Sequence, residues 1–321
     1  MIKLFRNNIL LQFIIIIVFA VIVWFAAFGN TTMPDSSHYA LLYGLIHKML
    51  SPYPMIGSII ATLLILGEGL LFTSILYEHK MIPQNTAMPM LFFVTTMAMG
   101  GLALTPMLIV NLILLIIINK LLLRGTLLTV SPDKIFSASA WIAIASMFYT
   151  QAVLMLVPLI LCFITYKLYN WRCGMMILLG FLAPYIIYIA ILLAIGFEFN
   201  ETVFTLTDFY QLAKLSPIAI LGILYMIFMI YSVFATLDNQ YERVAIYRKN
   251  TSVVCILLIG GILISLFQPS VLNICTLFQV FAIPFSYTLS ILFINAKGKK
   301  WIWEILMAAT MIIPLTINIL Q

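Results

Sequence analysis

The chain has 321 residues, 64% of them hydrophobic and 8% charged, with a mean hydropathy of +1.17. A water-soluble domain of this length could not hide so much apolar surface, so the composition excludes one and makes the bilayer the solvent. The net charge of +6 does not call for nucleic acid, because membrane proteins gather Lys and Arg on the cytoplasmic side for reasons of insertion.

The first apolar run, Ile9 to Phe28, follows Lys3 and Arg6. It is long for a signal peptide and lacks a small-x-small cleavage site, so it reads as a retained helix. Further apolar runs lie at 56–76, 87–99, 102–119, 135–149, 151–168, 174–195, 217–237, 251–267, 270–294 and 301–319. The expectation is an all-α polytopic membrane bundle of about 11 transmembrane helices (9 to 12), forming a single domain over 1–321. Runs 87–99 and 135–149 are short enough for re-entrant or tilted segments.

The basic residues set the orientation. With the N-terminus inside, Lys3, Arg6, Lys80, Lys120, Arg124, Lys134, Lys167, Arg172, Arg243, Arg248, Lys249, Lys297, Lys299 and Lys300 fall on the inner side, fourteen of the sixteen Lys and Arg. Only Lys48 and Lys214 fall outside, a bias that predicts a cytoplasmic N-terminus in the cell inner (plasma) membrane. Two large outer loops follow from this: residues 29–54, including a helix-like run, and residues 196–216.

The first outer loop, WFAAFGNTTMPDSSHYALLYGLIHK from Trp24 to Lys48, holds Asp35, His38 and His47. Leu41, Leu42, Leu45, Ile46, Met49 and Leu50 recur at helical spacing and predict an interfacial amphipathic helix. Asp35 serves either as that helix's N-cap or as a general base or divalent-cation ligand; the two roles are compatible. His38, three residues on, can orient the carboxylate or contact a phosphate. His38 and His47 are about 2.5 turns apart and do not share a metal.

Glu68 stands between Gly67 and Gly69 in the second run. A carboxylate there costs several kcal/mol against lipid and must face the bundle interior, water or a partner. It reads as an intramembrane functional acid or as a hydrogen-bonded structural one; Asn111, Asn119, Gln151 and Gln268 are the other scattered polar positions. The second outer loop carries Glu198, Glu201, Asp208, Tyr210 and Lys214 among aromatics, a composition suited to sugars and equally to an interfacial belt. Cys162, Cys173, Cys255 and Cys275 form no C-x-x-C pair, and neither disulfide framework nor metal site is indicated. No Gly-rich phosphate loop is present, which disfavours nucleotide-binding enzymes.

The stretches QNTAMPMLFFV at 84–94, IFSASAWIAIASMFYTQAVL at 135–154 and NWRCGMMILLGFLAPY at 170–185 resemble an uncharacterised bacterial integral-membrane family whose architecture looks like the GT-C glycosyltransferases. The family pattern differs in having an acid at Ser137, Gly at Ser139, Pro at Gln151 and Glu at Cys173. The N-terminal layout, one span, an acid-bearing outer loop and an interfacial helix, is similar to GT-C enzymes. The resemblance implies a polyprenyl-phosphate sugar donor and a first-loop acid as catalytic base, for which Asp35 is the match. Ser36 and Ser37 stand where a second acid is expected. It further implies that His38 or Lys48 steadies the donor phosphate, and that acceptor recognition rests on loops or a protein partner. The alternatives are a non-catalytic membrane subunit or assembly factor on a degenerate scaffold, and a transporter or lipid flippase using Glu68.

Overall fold

Proline opens many of the helices. Pro54, Pro106 and Pro132 begin theirs and Pro89 is the second residue of its own, with no side-chain cap on any of the four. An N–H missing at the first turn is one that no intrahelical carbonyl would have accepted, so proline starts a helix at little cost in lipid. In the computed structural model, residues 9–27, 40–83, 85–101, 103–123, 131–166, 170–195, 217–239, 244–267, 274–296 and 300–320 are described. Among them all regular structure is helical.

The order is α1 Ile9–Ala27, α2 Leu41–Leu50, α3 Pro54–Glu78, α4 Met88–Met99, α5 Pro106–Leu121 and α6 Pro132–Phe148. A 3-10 turn Thr150–Met155 leads into α7 Leu156–Thr165, followed by α8 Trp171–Ile195, α9 Pro217–Asn239, α10 Ala245–Leu266, α11 Ile274–Val280, α12 Ala282–Ile294 and α13 Lys300–Leu320. Helices α3, α8, α9, α10 and α13 contain stretches long and apolar enough to cross a membrane, and α1, α4, α5, α12 and the 3-10 turn with α7 are shorter apolar pieces. A helical membrane protein is what this defines.

The core is built on α4, all of whose residues are buried, and on α12, buried from Ala282 to Phe293. These two pack together, with Phe92 stacked on Phe293 at 5.0 Å, and α1, α3, α11 and α13 close around α4. A helix apolar on every side needs neighbours on every side, which places α4 and α12 at the centre. By contrast α8 turns Ile186, Ile187 and Leu193 outward, an apolar surface suited to lipid. It meets α6 where Gly180 lies so close that a Cβ would come within 2.1 Å of Ser139 Oγ and 2.5 Å of the Phe136 carbonyl.

Three boundaries differ from the hydropathy reading. The run expected at 102–119 starts as helix only at Pro106, because Thr105 is extended. The run expected at 251–267 begins at Ala245, so Arg248 and Lys249 are helical. The run 270–294 is broken at Phe281: Pro284 lacks the N–H that would bond Val280 O, and its ring crowds that carbonyl. Helix α3 ends in a Schellman turn, with Met81 N–H donating to Leu76 O at 2.9 Å and Lys80 N–H to Tyr77 O at 3.0 Å. Its left-handed residue is Lys80, φ 53°, where glycine would be favoured by about 1 kcal/mol.

Candidate functional site

Polar side chains gather at the two ends of the bundle. At one end α1 finishes, α2 lies, α3 begins and the α4–α5 turn sits. Trp24 Nε1 donates to Ser58 Oγ at 3.2 Å, tying the end of α1 to the start of α3. Tyr43, on α2, donates from its hydroxyl to Leu104 O at 2.5 Å, tying α2 to the turn between α4 and α5. Both ends of the first loop are thus pinned to the same end of the bundle. The loop residues between, with Asp35 and His38, lie outside the described residues, as do Glu198 and Asp208 of the second loop.

Helix α2 has the form expected of an interfacial helix. Tyr43 is buried while Leu45 and Met49 face outward, and His47 and Lys48 fall in its last turn, where cations complement the helix dipole. Its N-cap is Ala40, with no side-chain cap bond. Asp35 is therefore not the N-cap residue of this helix, which corrects that expectation; the helix starts one turn later than Asp35 could cap. Lys48 is exposed and His47 half-buried, with the His47 ring 6.3 Å from Tyr43.

The same end holds a buried amide network that hydropathy alone conceals. Gln279, on α11, accepts from Thr105 Oγ1 at 2.9 Å and donates from Nε2 to Gly100 O at 3.3 Å. Asn111 donates to Gln279 O at 2.8 Å, and Asn318 donates to Ala98 O at 2.8 Å. Gly100 is required there, because a Cβ would fall 2.3 Å from Gln279 Cγ. The sequence signal was amides standing inside apolar runs, which must find partners to be tolerated in lipid.

At the opposite end, Asn250 makes a two-point bond to the extended residue after α5, accepting from Leu123 N–H at 2.9 Å and donating to Leu123 O at 3.1 Å. His79 Nδ1 lies 3.2 Å from Leu123 O and Nε2 3.2 Å from Asn119 Oδ1, while Tyr166 donates to Leu121 O at 2.9 Å. Gln12 accepts from Ala87 N–H at 2.6 Å and donates to Asn85 O. Lys120 donates to Ser137 Oγ at 2.5 Å. A cavity of about 360 Å³ opens here, lined in part by Lys80, Tyr247 and Asn295.

Between the ends, Glu68 is 1% exposed, and neither carboxylate oxygen has a hydrogen-bond partner among the described residues. It shares the buried stripe of α3 with Ile65, Gly69 and Phe72, against α4: Gly69 faces Met90 and Phe72 meets Phe93. Asn111 Oδ1, Gln151 Oε1 and Tyr225 OH are likewise buried without a partner. Glu68 lines neither the 360 Å³ cavity nor a shallower one beside Phe13, Leu70 and Tyr77. Among the described residues no three His, Cys, Asp or Glu side chains converge as metal ligands.

The arrangement defines a class, a multi-helix membrane protein with a pinned polar loop at one end and a lone acid within. No family model, curated protein or solved structure matches the chain.

Proposed function

We propose that this chain is a GT-C-like glycosyltransferase of the cell inner (plasma) membrane, moving a sugar from a polyprenyl-phosphate donor to an acceptor on the outer face. The observation that carries it is the double pinning of the Asp35 loop by Trp24 with Ser58 and by Tyr43 with Leu104. A catalytic acid must be held within a fraction of an ångström to about an ångström of its productive position. The two bonds bring the flanks of that loop to one end of the bundle, which supports a base acting there. The layout behind it rests on resemblance.

Eleven crossings in a single domain fit this reading. The 3-10 turn with α7 counts as one crossing and α11 with α12 as one broken crossing. Partners such as His79 with Leu123, or Tyr43 with Leu104, then join ends on the same side. The basic bias assigns the Asn250 end to the cytoplasm.

In the proposed reaction Asp35 accepts the proton of an acceptor hydroxyl as its oxygen attacks the anomeric carbon. The bond to phosphate oxygen breaks, and polyprenyl phosphate leaves with the electron pair. His38 and Lys48 offset the charge on that phosphate, and a divalent cation at Asp35 is compatible with the same role. Glu198 and Asp208 hold acceptor hydroxyls, with a protein partner completing acceptor recognition. Asp35→Asn is expected to lower transfer by about 10²- to 10⁴-fold and to accumulate undischarged polyprenyl-phosphate sugar. Without accumulation, the chain is instead a non-catalytic subunit on the same scaffold.

A second reading, a transporter or lipid flippase using Glu68, is supported by its two oxygens without a partner among the described residues and opposed by its lining neither cavity. Glu68→Gln then abolishes flux in proteoliposomes, whereas under the transferase reading it leaves sugar transfer intact.

A further inference from the structure

The cavity at the Asn250 end combines three features that no role in transfer at the other end explains. It opens between the α3–α4 connection, α10 and α12. Lys80, Tyr247 and Asn295 supply polar groups, and Ile82, Ile291 and Ile294 supply an apolar wall. Among the described residues no acidic side chain lines it. Its volume of about 360 Å³ is at the lower end of the roughly 300–1,000 Å³ typical of small-molecule sites.

The cation is placed there against a backbone preference. Lys80 is the non-glycine residue with positive φ among the described residues, at a turn position that glycine fills most easily. A lysine held in that conformation directs a charged side chain at the cavity rim, where it is exposed. Residue strain of this kind points from the outlier to a role for the side chain. In sequence, Tyr247 is followed by Arg248 and Lys249, so this end of α10 is basic.

We infer that this cavity binds the phosphate-bearing headgroup of an anionic membrane lipid on the cytoplasmic side, with Lys80 on the phosphate and Asn295 and Tyr247 on its ester or hydroxyl oxygens. The isoleucine wall takes the start of an acyl chain. A basic, partly apolar pocket between helix ends on the cytoplasmic side suits such a ligand. The inference does not depend on transfer chemistry at Asp35.

The test is thermal unfolding of the full purified chain in detergent, titrated with phosphatidylglycerol, phosphatidylcholine or inorganic phosphate. Phosphatidylglycerol is expected to raise Tm saturably. Its apparent affinity is expected to fall about fivefold in Lys80→Gly, the contribution of one basic side chain at an anionic lipid surface, and to persist in Lys80→Arg. Glycine relaxes the backbone at this turn, so Lys80→Gly weakens the lipid response while its lipid-free Tm holds or rises, which misfolding would not produce. Asn295→Ala is a second variant expected to weaken the response. An unchanged phosphatidylglycerol response in Lys80→Gly overturns the inference, and so does an equal response of the wild-type chain to phosphatidylcholine or to inorganic phosphate alone.

Discussion

Glu68 carries a cost that its surroundings do not offset. A buried polar group without a partner destabilises by about 1–3 kcal/mol, more when charged, and both its oxygens are in that position. Glu68→Met, close in volume and apolar, is therefore expected to raise stability by about 1–3 kcal/mol, read as an increase in unfolding temperature in detergent. Glu68→Gln keeps an unsatisfied amide and is expected to give no such gain. Loss of stability in Glu68→Met would show that the carboxyl has a structural partner. The acid itself was legible in the sequence, since Glu between two glycines in an apolar run is conspicuous. That no donor faces it was not, because satisfaction depends on α4, whose side chains are aligned with it only by folding. Gln279 and Asn250 are the converse: weak as sequence signals, yet fully engaged once their partners, 127 to 179 residues away, arrive.

At the level of helices, glycine separates close approach from open surface. Gly180 and Gly174 lie on the same helix, α8, but only Gly180 is pressed against α6, with Ser139 Oγ and the Phe136 carbonyl where its Cβ would be. A backbone carbonyl cannot step aside, so Gly180→Ala is expected to cost about 1–3 kcal/mol. Gly174 has nothing within 4 Å, and Gly174→Ala is expected to gain up to about 1 kcal/mol from helix propensity. Unfolding midpoints of the two variants should move in opposite directions. Each expected apolar run overlaps at least one helix among the described residues, because hydropathy measures the burial that lipid rewards. Helix ends were less legible: Arg248 and Lys249 end an apolar window without ending α10, and Pro284 splits a run whose hydropathy is unbroken.

For the whole molecule, orientation decides which chemistry each end can meet. Ser51, after α2, and Ser131, before α6, are both exposed and lie at opposite ends. Introduced one at a time, Ser51→Cys is expected to react with an impermeant maleimide on intact cells, and Ser131→Cys only after permeabilisation. The reverse pattern would invert the bundle and remove the Asp35 loop from the outer face. The asymmetry of Lys and Arg is the sequence feature from which this polarity is expected. The candidate site was only half readable, since the polar loops with Asp35 and His38 and with Glu198 and Asp208 stand out by composition, while Trp24 and Tyr43, whose bonds tie the flanks of the first loop to α3 and to Leu104, look like ordinary interfacial aromatics.

The two-point bond between Asn250 and Leu123 also has a meaning for biogenesis. Leu123 is synthesised and inserted long before Asn250, so its N–H and C=O wait without that amide until α10 enters the membrane. A chain stopped after α9 carries this unfinished seam, together with an α5 end that lacks one of its side-chain partners. Asn250→Leu makes the defect permanent, at about 1–3 kcal/mol for the orphaned backbone group. The full-length Asn250→Leu chain is therefore expected to be cleared by membrane quality control at a rate closer to that of the truncated chain than to wild type, measured by pulse-chase.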